Sequence, residues 1–323
     1  FVGRHRDLHR LKEALLSNAK RALLIYGWGG MGKTVLATRL AARLGERFEG
    51  VYGHRCGPQT RAEDLLIGLN SFLNMGGIQS LNQVLSSQAP ISVKTAMLVR
   101  ILNQRRFLII LDNMESCLDE GEKQIADPEL RDYISALLSG VAAGSKFIIT
   151  SRIDFDPLEG RLVSAIEHYP LPEMPYYEAI WLMNNHTSLA RLDLPKKKQI
   201  HKAVGGHPWS LDHFALQVSE GAEVDELLQK LEPLEKEAKA FTLFDHAHSR
   251  LDGEAKELLL RASIFEEAVP EEALRWMMGD EKTPSPPIVR ALRELLRLGL
   301  AARQEEREIR LYSVHTLVRQ FAQ

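Results

Sequence analysis

Cysteine is scarce: Cys56 and Cys117 are the chain's 2 cysteines in 323 residues, too few for a disulfide framework, and their spacing fits no thiolate zinc site. That usage suits a reducing cytoplasm. Long hydrophobic runs are missing too, the longest holding about six residues where a membrane span needs ~20. Charge of one sign is lacking, with 41 Lys+Arg against 43 Asp+Glu and a formal net charge of -2. No overall basic field is therefore available for nucleic acid or an anionic membrane. There is no signal-peptide pattern, internal repeat or long low-complexity segment. The chain opens on Phe1 rather than Met and is expected to be a piece of a longer protein. What it does have is length and 45% hydrophobic residues, enough for two or three cores in a soluble multidomain protein.

The strongest signal is the octapeptide Gly27-Trp28-Gly29-Gly30-Met31-Gly32-Lys33-Thr34. It follows the apolar run Ala22-Leu23-Leu24-Ile25-Tyr26 and precedes the helix-like Val35-Leu36-Ala37-Thr38-Arg39-Leu40, the context a phosphate-binding loop requires. Backbone N–H groups can surround phosphate oxygens only where no Cβ blocks the approach, and a helix N-terminus favours the anion. Lys33 is placed to reach the β- and γ-phosphates, and Thr34 offers a hydroxyl to Mg²⁺. The nucleotide contacts expected here are Gly29, Gly30, Met31, Gly32, Lys33, Thr34 and Val35.

A phosphate site of this kind needs a rigidly held carboxylate linked to the Mg²⁺. Phe107-Leu108-Ile109-Ile110-Leu111-Asp112 supplies one, a continuous apolar strand ending in an acid where open α/β sheets bind ligands. Asp112 and Thr34 are thus the candidate metal-side residues. The residue after Asp112 is Asn113, which can orient a water but cannot accept its proton, so hydrolysis is expected to be slow unless Glu115 substitutes as base. The strand Lys146-Phe147-Ile148-Ile149-Thr150-Ser151 is followed by Arg152, a cation matching the anion of the other strand end and a candidate γ-phosphate sensor, or else a solvated loop residue.

Alternation of short apolar strands and longer helices predicts a parallel three-layer α/β domain. Further strands are expected at 50–54 and 161–166, and helices over 62–73, 93–104 and near 128–140. Prolines 170, 172 and 175 mark the end of this domain. Helical spacing alone follows to about 231, then more helices near 243–252, 254–263, 270–278 and 286–298. Two short strands, Leu300–Arg303 and Glu308–Ser313, flank the turn Gln304-Glu305-Glu306-Arg307 before a last helix from about 315. The expected organisation is a P-loop NTPase domain over 1–172, an all-α helical domain over 173–236 and a winged-helix domain over 237–323. Trp181, Trp209 and Trp276 have the spacing of helix core residues, and Asp245-His246-Ala247-His248 lacks the further ligands a metal site needs.

With these parts in order, the sequence resembles the signal-transducing ATPases with numerous domains, of the NB-ARC or AP-ATPase type. The landmarks are Val2-Gly3-Arg4, the phosphate loop, the strand ending at Asp112, Thr150-Ser151-Arg152, Gly205-Gly206-His207-Pro208-Trp209-Ser210-Leu211, and Val314-His315-Thr316. The resemblance implies that Val2 and Arg4 sit at the adenine, that Arg152 senses the γ-phosphate, that Pro208 packs near the base or ribose, and that His315 holds the ADP β-phosphate. The alternative for His315 is a cap on the last helix. Two departures stand out: Thr316 where the family usually has Asp, and Asn113 where a second acid is expected.

The resemblance implies a cytoplasmic switch, monomeric with ADP and oligomeric with ATP, flanked by an effector and a ligand-sensing repeat domain. A ring-forming motor ATPase would share the loop, but should carry an acid at 113. A transcription regulator binding DNA through the winged helix would need a basic domain, whereas residues 251–323 hold 11 Lys+Arg and 13 Asp+Glu. Nucleic acid and membrane are accordingly not expected partners.

Overall fold

The computed structural model describes the chain apart from residues 1, 120, 122, 143, 159, 161, 235, 266, 280–285, 307, 308 and 323. Contacts divide it into two units: Gly3–Trp28 with Gly32–Pro172, and Glu173–Gln323, with which Val2 and Gly29–Met31 group.

In the first unit, helix α1 (His5–Leu16) precedes strand β1 (Ala22–Tyr26), and helix α2 (Lys33–Leu44) follows the phosphate loop. Next come β2 (Gly50–Arg55), α3 (Ala62–Met75), the short α4 (Asn82–Leu85), α5 (Ile91–Gln104), β3 (Phe107–Asp112), α6 (Pro128–Gly140), β4 (Lys146–Ser151) and β5 (Ile166–Pro170). The five strands form one sheet in the order β2-β3-β4-β1-β5, every pairing parallel. Leu23, Leu24, Leu108, Ile109, Ile148 and Ile149 are fully buried, as continuous apolar strands covered on both faces require. Helix starts follow local chemistry; Asp127 caps α6 by accepting from Leu130 N–H at 2.9 Å, with Pro128 in the first turn.

The fifth strand lies later than the sequence suggests. The run from Arg161, itself outside the described residues, to Ile166 reads as a strand, but Leu162 takes a left-handed φ of 52° and Val163–Ala165 form a 3-10 turn. Pairing with β1 begins only at Ile166, opposite Ala22, and runs to Pro170, opposite Tyr26. Proline is tolerated there because β5 is an edge strand.

The second unit contains α7 (Tyr176–Asn185), α8 (Thr187–Ala190), α9 (Leu194–Val204), α10 (Pro208–Ser219), α11 (Val224–Leu231) and α12 (Lys236–Ser249). It continues with α13 (Gly253–Ala262), β6 (Val269–Pro270), α14 (Glu271–Met277), α15 (Pro286–Arg297), β7 (Ala301–Glu306), β8 (Ile309–Val314) and α16 (Thr316–Ala322). Strands β6-β8-β7 make a small antiparallel sheet. Gln304, Glu305 and Glu306, expected in a turn, instead extend β7 and pair with β8, while Arg307 and the expected strand start at Glu308 fall outside the described residues. Two cores fill this unit, one running from Met174 to Leu243 and the other from Ala240 to Val318 with Trp209 added from α10. Of the three tryptophans given core spacing, Trp209 is buried, whereas Trp181 and Trp276 are 59% and 71% exposed. Helical spacing marks a face without saying that anything covers it.

Among the described residues no helix is long and apolar enough to cross a membrane, and no group of His, Cys, Asp or Glu could hold a metal ion by itself, the Asp245–His248 segment included.

Candidate functional site

The parallel sheet brings the C-terminal ends of β1, β3 and β4 side by side, because β4 pairs with β1 on one edge and β3 on the other. Gly27 N–H donates to the Ser151 carbonyl at 3.2 Å, which ties the start of the phosphate loop to the end of β4. Gly30 and Gly32 take φ of 74° and 88°, left-handed values that an L side chain rarely adopts. Those turns deliver Lys33 and Thr34 to the first turn of α2.

Lys33 is nearly buried, and its Nζ donates to the carbonyls of Gly27 at 2.6 Å and Trp28 at 2.8 Å. Burial pushes its ammonium down to about 8; the Glu115 carboxylate opposes that shift, Arg152 adds to it, and Asp112 opposes it. Thr34 Oγ1 donates to Asp112 Oδ1 at 2.7 Å, and Thr150 Oγ1 donates to the same oxygen at 2.5 Å. The carboxylate is therefore aimed by two hydroxyls, one from α2 and one from β4.

Asn113 turns the chain at φ 66°. Its backbone N–H donates to Thr150 Oγ1 at 3.0 Å, and its side-chain amide donates to the Cys56 carbonyl at 3.0 Å and Ser116 Oγ at 2.5 Å. The 3-10 turn Met114–Cys117 follows and presents Glu115. Glu115 Oε1 accepts from Arg152 Nε at 3.0 Å, and Oε2 is buried with no hydrogen-bond partner among the described residues. Both cysteines are buried and form no disulfide, and the Cys56 thiol is pushed up by its hydrogen bond with Cys117 and by burial.

Lys33, Thr34, Asp112, Asn113, Glu115 and Arg152 thus share one end of one sheet. Val35 follows on α2, 54% exposed. Arg4 has a different setting: it is buried at a left-handed φ of 60°, and its Nη1 donates to the Pro172 carbonyl at 2.6 Å and to Asp7 Oδ2 at 3.2 Å. Asp7 Oδ1 also accepts from the Tyr169 hydroxyl, which joins α1 to β5. The remaining candidates belong to the second unit. Pro208 opens α10 behind His207, whose Nδ1 accepts from Ser210 N–H. His315 Nδ1 accepts from Leu317 N–H at 3.2 Å, so the ring does cap α16 and a neutral imidazole carries its proton on Nε2. Trp209 packs against both His213 and His315, with ring centroids 3.8 Å and 6.0 Å away. Sequence reasoning missed Thr150 as the second hydroxyl on Asp112; the available signal was a hydroxyl interrupting an otherwise apolar strand.

The donor set fits a magnesium nucleotide. A threonine hydroxyl and a carboxylate held together are hard oxygen ligands of the kind Mg²⁺ takes, and the lysine and glycine turns suit phosphate oxygens. Fold and site together define a P-loop nucleotide-binding domain.

Residues 4–154 match the NB-ARC domain model. Over 131 residues it is 32% identical to an uncharacterized WD repeat-containing protein of Nostoc sp. (strain PCC 7120), a match covering 38% of this chain and 10% of that protein. Among solved structures, it resembles a signal transduction ATPase with numerous domains and a tetratricopeptide repeat sensor from Pyrococcus horikoshii. The TM-score is 0.69 at 22% identity, over 100% of this chain and 42% of the other. A Walker-type ATPase of Pyrococcus abyssi gives a TM-score of 0.48 at 15% identity, over 100% of this chain and 96% of that one. The chain spans less than half the length of the Nostoc and P. horikoshii proteins.

Proposed function

We propose that this chain is the nucleotide-switch core of a signal-transducing ATPase with numerous domains, binding ADP or ATP with Mg²⁺ and turning ATP over slowly. The observation that carries the reading is the pairing pattern at the strand ends. Lys33, Thr34 and Asp112 are set for a magnesium nucleotide, while Asn113 and Glu115, the two groups that could handle a water, are hydrogen-bonded to Cys56, Ser116 and Arg152. A site that binds tightly and has no ready base suits a switch better than a motor.

In this reading Mg²⁺ would be held by Thr34 and Asp112 and would neutralise phosphate charge. Lys33 binds the phosphates, Arg152 responds to the third, and Val2, Arg4 and Pro208 border the base. His315 donates from Nε2 to the β-phosphate of ADP, giving ADP a differential affinity for the closed state. Exchange for ATP then releases the chain to oligomerise in the cytoplasm. Two cores within residues 173–323 support a helical domain over 173–236 and a winged-helix domain over 237–323, the latter with β7 and β8 as its wing. The repeat domains named for the P. horikoshii and Nostoc proteins support a repeat sensor in the full-length protein, beside an effector.

The test is to purify the chain without added nucleotide, denature it, identify what is released by chromatography, and measure multiple-turnover hydrolysis. Near-stoichiometric ADP with turnover well below one per minute is expected, and His315→Ala should lose the ADP. A protein that comes out free of nucleotide and hydrolyses ATP at several per second would sink the switch and favour a motor.

A further inference from the structure

Glu115 is placed with more care than a loop acid needs. Its turn is pinned at Asn113 by three hydrogen bonds, to Cys56, Ser116 and Thr150. The result sets its carboxylate beside the end of β4, where Oε1 takes the Arg152 Nε–H. The pair is mostly withdrawn from water, with 20% of the Arg152 side chain and 16% of the Glu115 side chain exposed. One hydrogen bond joins them rather than the bidentate fork that an arginine and a carboxylate can make, and Glu115 Oε2 stays buried without a partner among the described residues. An ion pair held this way is exchangeable: it compensates the arginine's charge without using the full strength of the geometry.

The neighbouring charges say what the compensation does. Lys33 and Arg152 are cations and Asp112 and Glu115 are anions, all close enough for the other three to act on the Lys33 ammonium. In formal charge the four sum to zero. Nucleoside triphosphate brings more negative charge than diphosphate, and a cluster already balanced attracts that excess less than one with a cation to spare.

We propose that Glu115 is a positioning residue that holds Arg152 as its counter-ion and thereby sets the site's preference for nucleoside diphosphate over triphosphate. This rests on the nucleotide-switch reading above and assigns Glu115 a role other than general base. The third phosphate must win the Arg152 guanidinium from Glu115, so the carboxylate acts as a threshold on exchange.

The experiment titrates the 323-residue chain with fluorescent ADP and with a non-hydrolysable ATP analogue, both with Mg²⁺, for wild type, E115Q, E115D, R152Q and the E115Q/R152Q double variant. E115Q should tighten the analogue about tenfold relative to ADP, within the range of ordinary coupling between sites. E115D, which keeps the charge on a shorter arm, should give a smaller shift in the same direction. The double variant should lose the gain, because no guanidinium is left to release. An unchanged ratio in E115Q, or a gain that survives loss of Arg152, overturns the proposal, as does E115Q abolishing turnover with the ratio unmoved, which would make Glu115 the base. Should E115Q fail to fold by circular dichroism, the E115D ratio decides by the same criterion. Wild type binding neither nucleotide overturns the switch reading and the proposal together, whereas binding with an unmoved ratio removes the proposal alone.

Discussion

His213 shows how one buried side chain can set a pH response far from the phosphate loop in sequence. It lies on α10 with its ring 3.8 Å from that of Trp209, and its Nδ1 is buried with no hydrogen-bond partner among the described residues. Burial pushes its imidazole down to about 3, with the charge of His315 adding to the shift and a hydrogen bond with the Gly299 backbone opposing it. The unfolded chain takes up a proton near pH 6.5 that the folded chain refuses until about pH 3. Stability from this group is therefore full above the unfolded value and falls as the pH drops through that window, by roughly 1.4 kcal/mol per pH unit. Urea unfolding at pH 6.5 and pH 5 should show wild type losing about 2 kcal/mol more than His213→Phe, which keeps a ring against Trp209 but cannot titrate. Equal losses in both proteins would mean that His213 accepts its proton in the folded state.

At the level of the elements, β4 is the member on which the site depends most. It is hydrogen-bonded on both edges, and Ile149 within it is fully buried. Ile149→Ala should cost about 2–5 kcal/mol, measured as a lower urea midpoint at unchanged slope. A loss below about 1 kcal/mol would show that the sheet collapses around the gap. Strands β1, β3 and β4 were legible in the sequence because a strand covered on both faces must be continuously apolar, and the phosphate loop because only glycine accepts its turns. Strand β5 was misplaced because the apolar run before it is used in a 3-10 turn, a choice fixed by pairing with a distant strand. The Glu115–Arg152 pair and the meeting of Cys56 with Cys117 were illegible for the same cause. Each joins residues that the chain separates and the sheet reunites.

For the molecule as a whole, the strand order has a consequence in time. The phosphate loop and Asp112 are both complete in the first 112 residues, yet β1 and β3 are not neighbours; β4 stands between them. During synthesis, a ribosome that has released both motifs has released no site, because the two strands lack the one that sets their spacing and register. Contacts between segments so far apart form late and slowly, and until they form the exposed edges of β1 and β3 can pair wrongly. A chain stopped at residue 145 should therefore bind no non-hydrolysable ATP analogue in a filter assay, while one extended through residue 172, which keeps Lys33, Thr34, Asp112 and Arg152 but not the ADP contact proposed for His315, should. Binding by the shorter chain would show that β1 and β3 can pair directly. Strand β4 is thus a keystone delivered after the stones it must separate, and the emergence of Arg152 coincides with the moment at which the site can first exist.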